Sequence, residues 1–313
     1  MTSVQSPATV AGALRVGDRR RNPARRRATV VAYLFALPFL ASFAVFMVFP
    51  LLASLGMSFT DFTNRDIATP FGVDFVGLEQ FTTLLSTPRF LRSLVNTLYF
   101  VAVGIPLTMV IALALAVALN SGITRFRTAF RVGFYAPVVT SIVAVAVVWR
   151  FILQPDGLLN TALGAIGITG PNWLGDPAWA MPAMIMMAVW RSVGTLMVLF
   201  LAGLQNVPQD VLEAAEVDGA NPWQRFVRVT LPILRPTLLL GAVLLSVGFL
   251  QFFEEPFVMT KGGPLDSTLS ISYFTYNQFG FGNFGLASAS SYILFVAIAL
   301  LSLVQFRAFR SKD

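Results

Sequence analysis

At 313 residues, 56% of them hydrophobic and 12% charged, with a mean hydropathy of +0.73, the chain is too apolar and too poor in charge for an ordinary soluble protein. It contains neither cysteine nor histidine, which excludes a disulfide framework and thiol catalysis and removes the commonest metal ligand and general base; no metal site is expected. The formal charge of +7 would suit nucleic acid if it were gathered on a soluble face, but the basic residues lie beside apolar segments, which is a topology signal and not a nucleic-acid footprint.

Residues 1–28 are polar, hold seven arginines between Arg15 and Arg27, and lack the short apolar core of a secretory signal. They read as a disordered, basic cytoplasmic tail. Six apolar segments follow, each near the roughly 20 residues needed to cross hydrocarbon: 30–54, 94–119, 132–153, 181–204, 232–253 and 285–306. The fold class is therefore an all-α integral membrane protein, with a membrane-spanning body over 29–313. One side of the membrane collects sixteen basic residues: the tail, Arg125, Arg127, Arg131, Arg225, Arg228, Arg235, Arg307, Arg310 and Lys312. The other holds five: Arg65, Arg89, Arg92, Arg150 and Lys261. That bias puts both termini of a multi-pass chain in the cytoplasm.

Three external loops result. Loop 57–92 is mixed polar and aromatic. Loop 154–180 reads as turns plus a short interfacial helix, with Trp173 and Trp179 suited to the aromatic belt. Loop 254–284 carries Thr260-Lys261-Gly262-Gly263-Pro264; no Gly-Lys-Ser or Gly-Lys-Thr follows, so it is a backbone turn and not a phosphate loop. Pro106 and Pro137, inside the second and third spans, are expected to bend them.

Arg191 falls near the middle of the fourth span, where a guanidinium costs about 2.5–3.5 kcal/mol on insertion scales, so it should face the bundle or a cavity. Glu254 and Glu255 are its conceivable partners. Gln251, Phe252, Phe253, Glu254 and Glu255 close the outer end of the fifth span and offer aromatic faces beside hydrogen-bonding groups, the composition of a small-molecule pocket. Trp149, Asn277 and Gln278 are weaker candidates for the substrate path. Glu254 and Glu255 cannot act as a hydrolytic pair, because neighbours on a helix diverge by about 100°.

Between the fourth and fifth spans, residues 205–231 form a polar island. Pro208 can open a helix, with Asp210 and Glu213 complementing its dipole. Gly219 should stop it in the left-handed cap conformation. Asn221-Pro222 then starts a second helix through Trp223, Phe226 and Val229 toward Thr230. The string Glu213-Ala214-Ala215, Asp218-Gly219-Ala220, Phe226, Leu231-Pro232 and Pro236 resembles the EAA loop of permease subunits in binding-protein-dependent ABC importers. In that family the loop is a cytoplasmic coupling helix seated in a groove of the ATP-binding subunit.

Thr260 to Pro264, with Tyr276, Phe279, Gly285, Ala287 and Ala289, is similar to the Thr-Gly-Gly-Gly-Pro region of the maltose-type sugar permeases. Phe75 to Phe81, Pro88, Asn96 and Thr97 are similar to the same group, so the resemblance covers nearly the whole chain from about residue 30. Lys261 stands where the family usually has glycine, and Glu254 where it often has aspartate. The resemblance implies a type I importer permease fold paired with a second homologous permease. It further implies a dimer of ATP-binding subunits that hold ATP and Mg, and an extracellular sugar-binding protein or lipoprotein. This chain would then be no enzyme and carry no cofactor, and it would pass a sugar across a bacterial inner membrane while contacting its lipid; nine acidic against five basic external residues favour a neutral di- or oligosaccharide. Import of glycerol phosphate or a polyol is the alternative within this architecture; a stand-alone secondary transporter is the alternative outside it.

Overall fold

The structure, a computed structural model, describes residues 23–69, 72–121 and 127–309. The chain divides into two units at Ala53 and Ser54. In the first, α1 (Pro23–Phe43) runs through a wider π-turn, Ala44–Val48, toward α2 (Phe49–Met57), and Val31–Met57 is apolar and long enough to cross a membrane. The expectation of a disordered tail over 1–28 is corrected in part. Residues 23–28 are helical, since Pro23 is tolerated in a first turn and Ala24 and Arg25 to Arg27 are good helix formers; residues 1–22 lie outside the described residues.

The second unit contains α3 (Glu79–Ser86), α4 (Pro88–Ser121), α5 (Arg127–Val139), α6 (Ile142–Ile152), α7 (Leu158–Ala165), α8 (Pro177–Gln205) and α9 (Gln209–Val217). It continues with α10 (Pro222–Arg225), a π-turn over Phe226–Thr230, α11 (Leu231–Ile233), α12 (Arg235–Leu250), α13 (Ile271–Gly280) and α14 (Phe284–Phe309). Among the described residues no strand forms; one isolated bridge joins Thr60 to Phe75. Among the described residues four helices are long and apolar enough to span, and two bent pairs, α5 with α6 and the Pro222–Ile233 stretch with α12, bring the number to six if each pair is one span.

The two bent pairs fall within the segments 132–153 and 232–253, the first near Pro137, where a bend is expected, and the second where none is. Between α5 and α6 the chain turns by 100°. Pro137 contributes no N–H here, the Thr140 hydroxyl donates to the Pro137 carbonyl at 2.6 Å, and Ser141 leaves the helical region with ψ 127°. The bend before α12 is 67°, at Leu234, where Pro232 and Pro236 withhold two amide donors. Pro106, by contrast, is carried inside α4 without ending it.

Helices α4 and α8 pack along each other and supply most of the core, with Phe100, Ala112, Met184, Met187, Met197 and Phe200 buried. Close helix approach rests on small residues, as expected where lipid removes the hydrophobic drive between helices. At Gly194 a Cβ would stand 2.1 Å from the Phe134 carbonyl oxygen of α5.

Loop 254–284 is more ordered than a loop reading suggests. It contains α13, capped by the Ser270 hydroxyl, which accepts from the Tyr273 amide at 3.0 Å. It is also tied to α4: Asn96 Nδ2 donates to the carbonyls of Asp266 (2.7 Å) and Leu269 (3.0 Å), and Thr97 Oγ1 accepts from the Ile271 amide (3.1 Å). Arg89 adds an ion pair to Asp266 at 3.2 Å. Lys261 is left-handed, with φ +52°, which accounts for glycine being the usual occupant in the permeases that it resembles.

Candidate substrate cavity and coupling corner

Helix α8 has 29 residues, opened by Asp176, whose Oδ1 accepts from the Ala178 amide at 2.8 Å. It carries Arg191 near its midpoint, on a wall shared with α12. A cavity of about 380 Å³ lies there, lined by Arg191, Ser192 and Thr195 from α8, Leu244 and Gly248 from α12, and Gln251, Phe252, Glu254 and Glu255 from the segment beyond. The volume falls in the ~300–1,000 Å³ range of small-molecule sites. Val138 and Ile142, on either side of the 100° bend, complete it.

Five of the nine pocket and path candidates thus meet in one place, from sequence positions some sixty residues apart. Their arrangement departs from expectation in three respects. Helix α12 ends at Leu250, so Glu254 and Glu255 do not cap the outer end of a span reaching 253; they turn into the cavity beside Arg191. No ion pair joins Arg191 to either carboxylate; Arg191 Nε and Glu255 Oε2 are both shielded from solvent without a hydrogen-bond partner. Phe252 is 3% exposed and stacks on Phe100 with centroids 4.0 Å apart, so that aromatic face is already taken.

The other four candidates lie elsewhere: Phe253 packs among Phe257, Tyr273 and Tyr276, and Gln278 Oε1 accepts from Asn283 Nδ2 at 2.9 Å. Trp149 packs on Trp190 at 5.6 Å and lines a separate apolar hollow with Ala144 and Val148. Asn277, on α13, accepts through its backbone carbonyl from the Phe281 amide at 2.9 Å and is not part of the cavity lining. Sequence reasoning passed over Ser192 and Thr195. Thr195 follows Arg191 by four residues, one helical turn, and that spacing is the signal that would have found it. Gln251 also lines a second hollow with Ser272, Thr275 and Ser291. Among the described residues no cluster of carboxylates suits a metal ion.

The polar island folds as a helical corner. Pro208 caps α9 from outside and is not its first residue; the capping position takes extended backbone, and proline's fixed φ fits it at −61°. Gly219 has φ +79°, as its place after Asp218 predicts. Asn221 then caps α10 in a reciprocal box: its Oδ1 accepts from the Gln224 amide at 2.8 Å, and Gln224 Oε1 accepts from the Asn221 amide at 3.0 Å. Arg225 pairs with Glu216 across the corner. Leu212, Ala215, Ala220 and Phe226 are partly buried, whereas Glu213, Ala214, Asp218 and Gly219 face outward. So do Val217, 87% exposed, and Trp223, 72% exposed.

Four long apolar helices, two bent pairs and a helical corner between the fourth and fifth spans define a multi-pass membrane component with the type I importer permease fold. A profile of the binding-protein-dependent transport system inner membrane component matches residues 8–310, and the chain belongs to that family. It is 36% identical over 298 residues to the lactose transport system permease protein LacF of Rhizobium radiobacter, covering 93% of this chain and 98% of the relative. The trehalose/maltose transport system permease protein MalF of Thermococcus litoralis is 32% identical over 287 residues, with 91% and 96% covered. Among solved structures, a chain of a bacterial alginate ABC transporter, in complex with alginate pentasaccharide-bound periplasmic protein, superposes with a TM-score of 0.78. It shares 25% identity and covers 92% of this chain and 96% of its own.

Proposed function

We propose that this permease passes a neutral di- or oligosaccharide across the bacterial inner membrane as one of two homologous permease subunits. In this reading the solute is delivered by an extracellular sugar-binding protein, and the step is driven by two ATP-binding subunits that hold ATP and Mg. Residues Glu213, Ala214, Ala215, Asp218, Gly219, Ala220 and Phe226 form the cytoplasmic coupling corner, and both termini share that side. Support for this orientation comes from the sixteen-to-five split of basic residues.

The observation that carries the sugar reading is the cavity itself: Arg191, Gln251, Glu254 and Glu255 converge there with the hydroxyls of Ser192 and Thr195. Sugar hydroxyls both donate and accept, so one neutral ligand can satisfy a guanidinium and a carboxylate together. Relatives named for lactose and for trehalose and maltose fit the same class. Arg191 alone would favour glycerol phosphate, but two carboxyl groups share its cavity and give no net positive field for an anion.

The test is the complex purified with its cognate ATP-binding subunits and binding protein, reconstituted in proteoliposomes and offered a panel of neutral and anionic solutes. Uptake of a neutral oligosaccharide with matching stimulation of ATP hydrolysis is the expected result. Uptake without any ATP-binding subunit would refute the reading.

A further inference from the structure

A second large hollow lies away from the substrate cavity. An apolar groove of about 470 Å³ runs along α4, α5 and α8, among Val103, Leu107, Ile111, Phe134, Ile185 and Val189. Its lining residues on α4 extend from Tyr99 to Leu115, a rise of about 24 Å, or most of the ~30 Å depth of a hydrocarbon core. In water such a groove would draw a protein surface by the hydrophobic effect. Within a membrane that force is absent, because lipid tails are as apolar as leucine. What remains is dispersion: a groove left empty forfeits contacts along its whole lining, and an acyl chain is the slender apolar body always available to restore them.

Charge at one end specifies the lipid. Gly133 and Phe134 line the groove, and Arg131 precedes Phe134 by three residues, so the two are neighbours on the surface of α5. Arg131 is partly buried, makes no ion pair with a described residue, and its Nε is shielded from solvent without a partner. A guanidinium so placed lacks an anion, and phosphate is the group that its donor geometry matches. We propose that the groove holds an acyl chain of an anionic phospholipid whose phosphate is set by Arg131.

Gly133 provides the decisive variant. A Cβ there would meet nothing within 4 Å, so Gly133→Leu projects into open groove without a clash, and replacing glycine inside a helix favours the fold. The experiment is native mass spectrometry of the full chain in detergent, after exchange into phosphatidylglycerol or phosphatidylcholine. The wild type is expected to retain phosphatidylglycerol in preference to phosphatidylcholine. Gly133→Leu is expected to lose the retained lipid with an unchanged or higher thermal midpoint. Arg131→Gln is expected to keep chain binding while its headgroup preference falls about fivefold, the ~1 kcal/mol typical of a single basic residue at an anionic surface. Equal retention by Gly133→Leu, or none by the wild type, overturns the proposal. So does efficient cross-linking of Gly133→Cys to another protein chain, which the absence of native cysteine makes easy to read, because the groove would then be a protein interface.

Discussion

Gly219 is where the proposed coupling corner is most exposed to a single substitution. Its φ of +79° is a conformation that L-residues adopt at a cost of about 1–2 kcal/mol, and a β-branched side chain raises the cost further. A Cβ at this position would touch nothing within 4 Å, so the whole effect is backbone strain and none of it steric collision with the rest of the protein. Gly219→Ala should therefore reduce the native corner relative to relaxed alternatives by roughly 5–30-fold, and Gly219→Val by more. Gly219→Asn, which tolerates the left-handed region, should stay near wild type. The assay is solute-stimulated ATP hydrolysis by the reconstituted complex, with retention of the ATP-binding subunit on affinity purification measured in parallel. The expected order is Gly, Asn, Ala, Val, with binding and stimulation falling together. A Gly219→Val complex with undiminished stimulation would show that the corner's angle does not transmit force.

Gly194→Val should prevent the seating of α5 on α8, since even its Cβ would overlap the Phe134 carbonyl oxygen; a loss of about 1–3 kcal/mol is expected as a lower thermal midpoint in detergent. Asn96→Ala leaves the carbonyls of Asp266 and Leu269 without their donor, and at about 1–3 kcal/mol per unsatisfied buried group the 261–271 segment should become cleavable by protease while the spans stay intact. Asp66 accepts from the Thr63 hydroxyl and amide, which hold its carboxyl below the usual range. A depressed folded pKa gives stability that is present above the unfolded value and lost as pH falls through the folded one, so a probe at Ile67 should gain mobility only in acid. Arg191→Met should lower uptake at least tenfold at normal expression, and Arg191→Lys should rescue it only in part, since ammonium lacks the planar fork.

The spans and the corner were legible because each rests on local rules. Twenty apolar residues need no tertiary partner to be recognised, and glycine after Asp218 or asparagine before Pro222 announces its backbone geometry directly. The cavity was half legible. Arg191 stood out by its insertion cost, and Glu254 and Glu255 by being charged next to an apolar span. That these meet depends on α12 ending at Leu250 and the chain turning back, which no local pattern in Phe249 to Phe253 encodes. Phe252 was legible as a lining residue but not in its packing: an aromatic at a helix end looks free until Phe100, from a helix more than a hundred residues earlier, is found stacked on it. The 100° bend was similarly hidden, because Pro137 marks a weak point without stating an angle.

The bend and the corner bear on one cavity from opposite directions. Val138 and Ile142 flank the break between α5 and α6 and form part of the wall, so a change in that angle reshapes the space around Arg191. Another wall hangs from α12, sixteen residues or about 24 Å long, which begins just past Leu231-Pro232 of the EAA-like string and ends at Leu250. In the proposed coupling, α12 is one route by which a displacement of the corner would reach the carboxylates, subject to the 67° joint at Leu234. Stiffness at that joint then determines how much motion arrives. The joint lacks the amide donors of Pro232 and Pro236 but keeps the Leu234 amide on the Thr230 carbonyl (3.0 Å) and the Leu238 amide on the Leu234 carbonyl (2.9 Å), and Leu234 is 1% exposed, so packing of its side chain adds to a thinned hydrogen-bond ladder in holding the angle. Leu234→Ala removes that packing. If α12 is the lever, this variant should weaken stimulation of ATP hydrolysis by solute while leaving the ATP-binding subunit attached, the opposite of the Gly219→Val pattern, in which attachment and stimulation fall together.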